Sequence, residues 1–380
     1  MLATRYELPT LEDLNRLGER RDYAITIYAQ TSPIVSERNA SFLNAKSSFD
    51  QAIHLVRESG ASHATETALR AEWDALADGI EPWSRLSSSL AIFLAPGFSE
   101  VYVLPNRLEN QYQAAEYFDL GQLVRAVTTP QEAYALTLSA NGWNLWVATA
   151  TTRAQELELA GDHPEDAADA TNRATIRGRK HVNRLVGDEG RKSLLETYAK
   201  RVAESVDAEL GRLDPAANRP LFLFATDPLL DLYRAADTKR QIVAVPGAPD
   251  ELRPDQIDER IRESLSTINA ERVNQRLESI GNDIPRGLVL TDLGDIARAA
   301  VAGAVKTLIY DFTVDVFGTV EETTGELSYA DQAGHGYDLL SRIVLLVLRT
   351  GGEVIAVRSA EITADLWNGT AVAHLRFPLA

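Results

Sequence analysis

The six histidines, His54, His63, His163, His181, His335 and His374, are scattered along 380 residues. No two stand four apart, the spacing that places two imidazoles on one helix face. The chain has no cysteine, so thiol catalysis, disulfides, zinc–thiolate sites and cysteine-held iron–sulfur clusters are excluded together. No metal or cofactor is expected. A Gly-x-Ser-x-Gly elbow, which would expose a serine nucleophile on a strained turn, does not occur. Neither does Gly-x-Gly-x-x-Gly, His-Glu-x-x-His or Gly-x-x-x-x-Gly-Lys-Ser/Thr; Gly190-Arg191-Lys192-Ser193 lacks both the leading glycine and the order that cradles phosphate. Gly351-Gly352-Glu353 reads as a helix C-cap followed by a tight turn. His335, between Gly334 and Gly336, reads as a polar turn residue. With 55 acids, spacing alone singles out no catalytic carboxylate pair. The sequence therefore leans away from an enzyme with a recognised catalytic motif.

One stretch departs from this background. The chain carries a formal net charge of -17. Between Thr171 and Arg201 stand nine bases, Arg173, Arg177, Arg179, Lys180, Arg184, Arg191, Lys192, Lys200 and Arg201, against the acids Asp188, Glu189 and Glu196. That island is +6, which leaves -23 for the remainder. Immediately upstream, Gln155 to Asp169 holds six acids and no Lys or Arg. Arginine dominates the bases, and its planar fork suits bidentate phosphate contacts. The bulk charge excludes a protein that coats nucleic acid generally, so DNA is not an expected partner, nor is an anionic membrane surface. A local, oriented RNA contact through Arg173, Arg177, Arg179, Lys180, Arg184, Arg191 and Lys192 is compatible with it. The competing reading is a solvated loop paired with the acidic strip.

The elements that must position this island follow from periodicity. Asp22 to Ala29 reads as a strand, with a long helix from Ser36 to Gly60 carrying Phe42, Ala45, Phe49, Ala52, Ile53 and Val56 at helical spacing. A second helix carries Leu69, Trp73 and Leu76. Leu90 to Leu94 and Val101 to Leu104 are strands joined at Pro96-Gly97. Ala133 to Leu138 and Trp143 to Thr149 flank an Asn141-Gly142 hairpin turn. From Ala160 to about Asp188 large apolar residues are few, so a long loop is expected. It precedes a helix with the stripe Leu195, Tyr198, Val202, Val206 and Leu210. Leu221 to Ala225 and Gln241 to Val245 are short apolar strands, as suits burial on both faces. Pro246-Gly247-Ala248-Pro249 is the clearest punctuation. Beyond it, a polar helix over Gln256 to Ile280 leads into alternating strands and helices: Leu288 to Leu290, Leu293 to Ala302, Thr307 to Tyr310, Leu339 to Leu348, Val354 to Val357 and Ala371 to Phe377. Glu321 to Asp331 reads as an exposed excursion. The fold class is α/β (α+β) in three domains, 1–126, 127–248 and 249–380. The N-terminus shows no apolar signal region and no run approaches a membrane span, so a cytoplasmic location is expected.

Several of these phrases resemble a known family. Asp22 to Ala29, Ser88 to Phe93 and Val101 to Pro105 resemble the N-terminal domain of the bacterial archaeo-eukaryotic release factor families. RPLFLFATDPLLDLYRAADTKRQIVAVPGAP, from Arg219, followed by DELRPDQIDERI, is similar to the end of their middle domain. LTDLGDIARAAVAGAVKTLIYD, FGTVEETTGELS and DLLSRIVLLVLRTGGEVIAV are similar to their Pelota-type C-terminal domain. The resemblance implies a ribonuclease-H-like middle domain and a ribosome-associated translation factor acting in rescue, stalling or hibernation. In the wider superfamily a Gly-Gly-Gln tripeptide on a loop before a long helix promotes hydrolysis of peptidyl-tRNA. The corresponding place here holds Gly187, Asp188, Glu189 and Gly190, so no catalytic residue carries over. The stop-codon-reading motifs are also missing. The expected partner is the ribosome. The alternatives are a hydrolase of peptidyl-tRNA or RNA that works without the tripeptide, and a protein-binding module with no RNA role.

Overall fold

The structure, a computed structural model, describes residues 3–79, 81, 83–149, 152–159, 161, 163–171, 188–237, 240–330 and 336–379, with backbone alone for Thr171, residues 188–191 and Pro246. It divides into two compact units, Met1–Pro130 with Ser266–Ala380, and Gln131–Leu265. Both are mixed α/β, as expected from the alternation of periods.

In the first unit, strands β1 (Ala3–Arg5), β2 (Ala24–Gln30), β3 (Ser89–Ala95), β4 (Phe98–Leu104) and β5 (Gln111–Ala115) form one sheet in the order β1-β4-β3-β2-β5. Only β1 runs parallel to its neighbour. Helix α1 (Leu11–Leu17) is held at its start by a reciprocal Thr10–Asp13 capping box. Helices α2 (Arg38–Glu58) and α3 (His63–Ala77) cover one face of the sheet. Strand alternation sorts the side chains: Ile25, Ile27, Leu90, Ile92 and Leu94 face these helices, while Tyr28, Ala91 and Phe93 face away. Both faces are buried, which is why these strands read as nearly continuous apolar runs. Helix α4 (Gly121–Thr128) closes this half.

The second unit holds β6 (Ala133–Ser139), β7 (Gly142–Ala148), β8 (Gln155–Glu156), α5 (Asp188–Leu213), β9 (Leu221–Ala225), α6 (Leu229–Ala236) and β10 (Ile242–Pro246). The sheet order is β10-β9-β6-β7-β8, parallel across β10, β9 and β6 and antiparallel beyond. Ser139 pairs with Gly142, so the hairpin loop is Ala140-Asn141, one residue earlier than the Asn-Gly signal suggests. Tyr198, Val202, Val206 and Leu210 of α5 pack on Tyr134, Leu136, Leu138, Leu221 and Leu223.

Helix α7 (Pro254–Gly281) crosses the unit boundary after Leu265. The expected punctuation at Pro246 to Pro249 lies inside the second unit, where Pro249–Glu251 form a short 3-10 turn. The first unit then resumes with β11 (Val289–Leu290), α8 (Leu293–Val301), β12 (Val305–Asp311), β13 (Phe317–Val320), β14 (Leu327–Tyr329), β15 (Tyr337–Asp338), α9 (Leu339–Arg349), β16 (Glu353–Val357) and β17 (Ala371–Leu375). The larger sheet has the order β11-β17-β12-β16, and the smaller β14-β13-β15. β12 and β16 run parallel.

The two chain ends share one core. Tyr28, Phe93, Tyr102 and Phe118 from the first half meet Ile296, Leu308, Tyr310, Leu339, Ile343 and Val344 from the last. Polar contacts fix the register between them. The Leu120 N–H donates to Ser341 Oγ at 2.7 Å, Tyr310 OH to the Gly121 carbonyl at 2.6 Å, and Arg342 Nη1 to the Gly18 carbonyl at 2.6 Å.

Candidate functional site

Most of the basic island lies outside the described residues: Arg173, Arg177, Arg179, Lys180, Arg184 and Gly187 are not described, nor is the side chain of Arg191. Asp188, Glu189 and Gly190 are described by backbone alone, and they open helix α5 rather than ending a loop. Lys192 is exposed two residues further on, with Lys200 and Arg201 also exposed on the helix. The buried residues Tyr198, Ala199, Val202, Ala203, Val206 and Leu210 leave these bases on the solvent side by helical phase alone.

The acidic strip upstream is anchored locally. Asp166 Oδ1 accepts from the Ala168 and Asp169 N–H groups, both at 2.8 Å, and Asp169 Oδ2 accepts from Glu165 N–H at 3.2 Å. Trp143 Nε1 donates to the Pro164 carbonyl at 2.6 Å, and the His163 ring stands edge-on to Trp143. These contacts dock the segment 163–171 on β7. At the other end of β7, the Arg262 guanidinium donates to the carbonyls of Gln131, Thr149 and Thr152 at 2.6, 3.0 and 2.9 Å, and to Asp258 Oδ1 at 3.3 Å. Burial pulls its pKa down, against the Asp258 charge that raises it. One arginine thus stands in for several backbone donors between β7 and α7.

Among the described residues, two strongly perturbed acids lie in the first unit. Asp119 and Asp338 are buried at the starts of α4 and α9. Asp338 accepts from the Val316, Leu340 and Ser341 N–H groups, and Asp119 Oδ1 from Gly121 N–H at 2.8 Å. Burial pushes the Asp119 carboxyl up to about 7, with the Asp315 charge adding to it. Burial also holds Asp338 well above the usual carboxylate range, with Asp119 adding. The nearby cavity, lined by Tyr117, Tyr337 and Ser341, measures about 10 Å³, room for one water at most. Both carboxyls are buried, at 3% and 5% exposure, and are placed to hold a proton. No spacing signal marks them, because each is a single polar residue at the edge of an apolar run.

Among the described residues the histidines stay apart. His54 and His63 are exposed on α2 and α3, and His374 Nε2 lies 3.1 Å from Asp283 Oδ2. His181 and His335 lie outside the described residues. Among the described residues no group of three His, Asp or Glu side chains is placed to hold a metal ion, and no helix is long and apolar enough to cross a membrane.

Residues 130–271 match the model of Bacterial archaeo-eukaryotic release factor family 11. The resemblance expected from the sequence is borne out over this stretch, which contains the acidic strip, the basic island and helix α5. No curated protein matches the chain. Among solved structures it is similar to archaeal Pelota in a model of the ribosome-bound protein with ABCE1, at 12% identity and a TM-score of 0.36, covering 98% of this chain and 96% of that one. It is also similar to Archaeoglobus fulgidus Pelota, at 14% identity and a TM-score of 0.34, covering 77% of each chain. An archaeal translation termination factor aligns at 14% identity and a TM-score of 0.25, covering 97% of this chain and 96% of that one.

Proposed function

We propose that this chain is a ribosome-associated translation factor of the release-factor and Pelota type, acting in the cytoplasm on stalled or resting ribosomes. The carrying observation is the family match over residues 130–271, which spans the +6 island. The island is the one place where an otherwise acidic protein offers phosphate-binding side chains in number, so the RNA contact is local and oriented. Arg173, Arg177, Arg179, Lys180, Arg184, Arg191 and Lys192 supply it. The chain carries no Gly-Gly-Gln, and on this reading Gly187, Asp188, Glu189 and Gly190 correspond to its place. Occupancy of the ribosome, rather than ester hydrolysis, is therefore the proposed activity.

Co-sedimentation with ribosomes tests this. Binding is expected at low salt and is expected to weaken steeply at moderate salt, because each phosphate neutralised releases counterions. The triple substitution Arg177→Glu, Arg179→Glu and Lys180→Glu reverses three charges and is expected to lower ribosome affinity by at least tenfold. Absence of binding at low salt defeats the reading; binding unchanged in the triple variant removes the island from it.

A further inference from the structure

Strand β5 forms one edge of the first sheet: among the described residues it pairs with β2 and with no other strand. Natural edge strands are blunted by charge, proline or bulges, because their open N–H and C=O groups template pairing with another chain. β5 reads Gln-Tyr-Gln-Ala-Ala, without charge or proline, and its register against β2 runs unbroken from Gln111 to Ala115. Helix α2 lies over β2 and β5. Where its outer flank meets Tyr112, an open groove of about 620 Å³ runs along the helix from Leu43 to Leu55. Leu43 is 53% exposed and Tyr112 38%, so this edge presents apolar surface as well as open backbone.

The flank of α2 that lines the groove is palindromic. Leu43 and Leu55 stand at its ends with Ser47 and Gln51 between them, each pair equally spaced about Phe49. An antiparallel copy of the helix centred on Phe49 puts Leu43 opposite Leu55 and Ser47 opposite Gln51. At a rise of about 1.5 Å per residue, Lys46 then lies about 3 Å in height from Asp50 of the copy, within reach of its long side chain. Within one chain, Asp50 Oδ1 stands 4.0 Å from Arg70 Nη1, beyond hydrogen-bond distance. The strand shares this centre. Helix α2 follows β2, which is antiparallel to β5, and so returns along β5; near its start Asn44 Nδ2 donates to Asn110 Oδ1 at 3.0 Å. Gln113, the middle of β5, is about 10 Å further along, level with about the seventh helical residue after Asn44. One two-fold axis therefore passes close to both Phe49 and Gln113.

We propose that β5 pairs antiparallel with β5 of a second copy of this chain about a two-fold axis at Gln113, and that the two α2 helices pack across the same axis. Neighbouring strands lie about 4.8 Å apart. A helix seated over β2 and β5 is then about 10 Å from its copy, the ordinary spacing of packed helices. On the face toward α2, Tyr112 falls opposite Ala114 of the second copy, large against small. A two-fold repeats every contact, so the Lys46–Asp50 attraction and the Leu43–Leu55 packing each occur twice. This self-complementary order of charge and apolar residues along α2 favours a second copy over an unrelated extended peptide, for which no such symmetry is needed.

Sedimentation equilibrium of the full chain at micromolar concentration is expected to give the mass of two chains, with reversible dissociation on dilution. Leu43→Asp is expected to raise the dimer dissociation constant by about tenfold or more, since one substitution removes two apolar contacts and sets two charges in the groove. Lys46→Asp and Asp50→Lys are each expected to weaken association by placing like charges opposite one another, and the double variant Lys46→Asp with Asp50→Lys is expected to restore it. A monomer at every concentration overturns the proposal and leaves the groove to another partner. A dimer unaffected by the three single substitutions has its interface elsewhere and equally overturns it, as does a double variant no tighter than the single ones. All three side chains are exposed on α2, so the variants are expected to keep the fold, with circular dichroism as the check. If Leu43→Asp does not fold, the charge exchange decides alone. The outcome is independent of ribosome association.

Discussion

Asp119 and Asp338 place two carboxyls where only backbone and hydroxyl groups answer them, and helix N-termini supply roughly half a positive charge each. Two half-charges balance one carboxylate, so one of the pair holds a proton near neutral pH. The sign of the stability change follows. In the unfolded chain a carboxyl titrates near 3.9, whereas Asp119 is raised to about 7 when folded. Between these values the folded state binds more protons, so stability is greatest at the acid end of the window, falls as pH rises, and levels off above the folded pKa. The expected loss is about 2–4 kcal/mol across pH 4 to 7. Thermal midpoints measured over that range should slope downward for the wild-type chain and flatten for Asp119→Asn. A wild-type profile that is flat, or that rises, rejects the assignment. None of this is legible in the sequence. Asp119 precedes Leu120 and Gly121 as any turn residue would, and only packing against Ser341, some two hundred residues away, makes it a buried acid.

Among the elements, those with strong local periodicity stand where the sequence places them. The stripe Tyr198, Val202, Val206, Leu210 faces the core of its unit, and the apolar run Leu221–Ala225 is a central strand. The elements that escape are short or defined from elsewhere. β1 is three residues that pair with β4 nearly a hundred positions on. Helix α4 carries buried Gln122 and Arg125 inside its apolar pattern, which breaks the helical signal. The excursion around Glu321 is a β-hairpin, and its turn shows why the chain returns. Gly325 has φ +76, and a Cβ there would lie 2.6 Å from Arg298 Cα on α8. No flexible side chain can yield, since the clash is with backbone. Gly325→Ala combines left-handed strain of about 1–2 kcal/mol with overpacking of about 1–3 kcal/mol. Gly369, with φ +86 and open space around it, carries the strain alone. Denaturant unfolding should therefore show Gly325→Ala costing clearly more than Gly369→Ala; equal costs would mean the hairpin turn does not rest on α8.

At the scale of the molecule, charge and core are partitioned differently. The charge splits locally, +6 against -23, and that split is fully visible in the sequence. The core does not divide in chain order. The unit Gln131–Leu265 buries Tyr134, Tyr198, Leu223 and Tyr233 among its own residues, so the chain 131–265 is expected to unfold cooperatively by itself. Residues 3–130 have only one face of their sheet satisfied by α2 and α3. The other face, with Tyr28, Phe93, Tyr102 and Phe118, is completed by residues beyond Ser266. Cutting the chain there exposes a contiguous aromatic and aliphatic surface, which isolated domains do not tolerate. The chain 1–130 alone is therefore expected to bind a hydrophobic dye and to melt without a sharp transition. Addition of the chain 266–380 should quench the dye signal and restore near-ultraviolet circular dichroism. Sequence order suggests separate N- and C-terminal domains because each has its own sheet; what order cannot convey is that α9, with Leu339, Ile343 and Val344 buried, packs against both. A chain 1–130 that melts cooperatively and binds no dye would show that the first sheet closes its own core, and the shared core would then be a docking surface rather than a folding requirement.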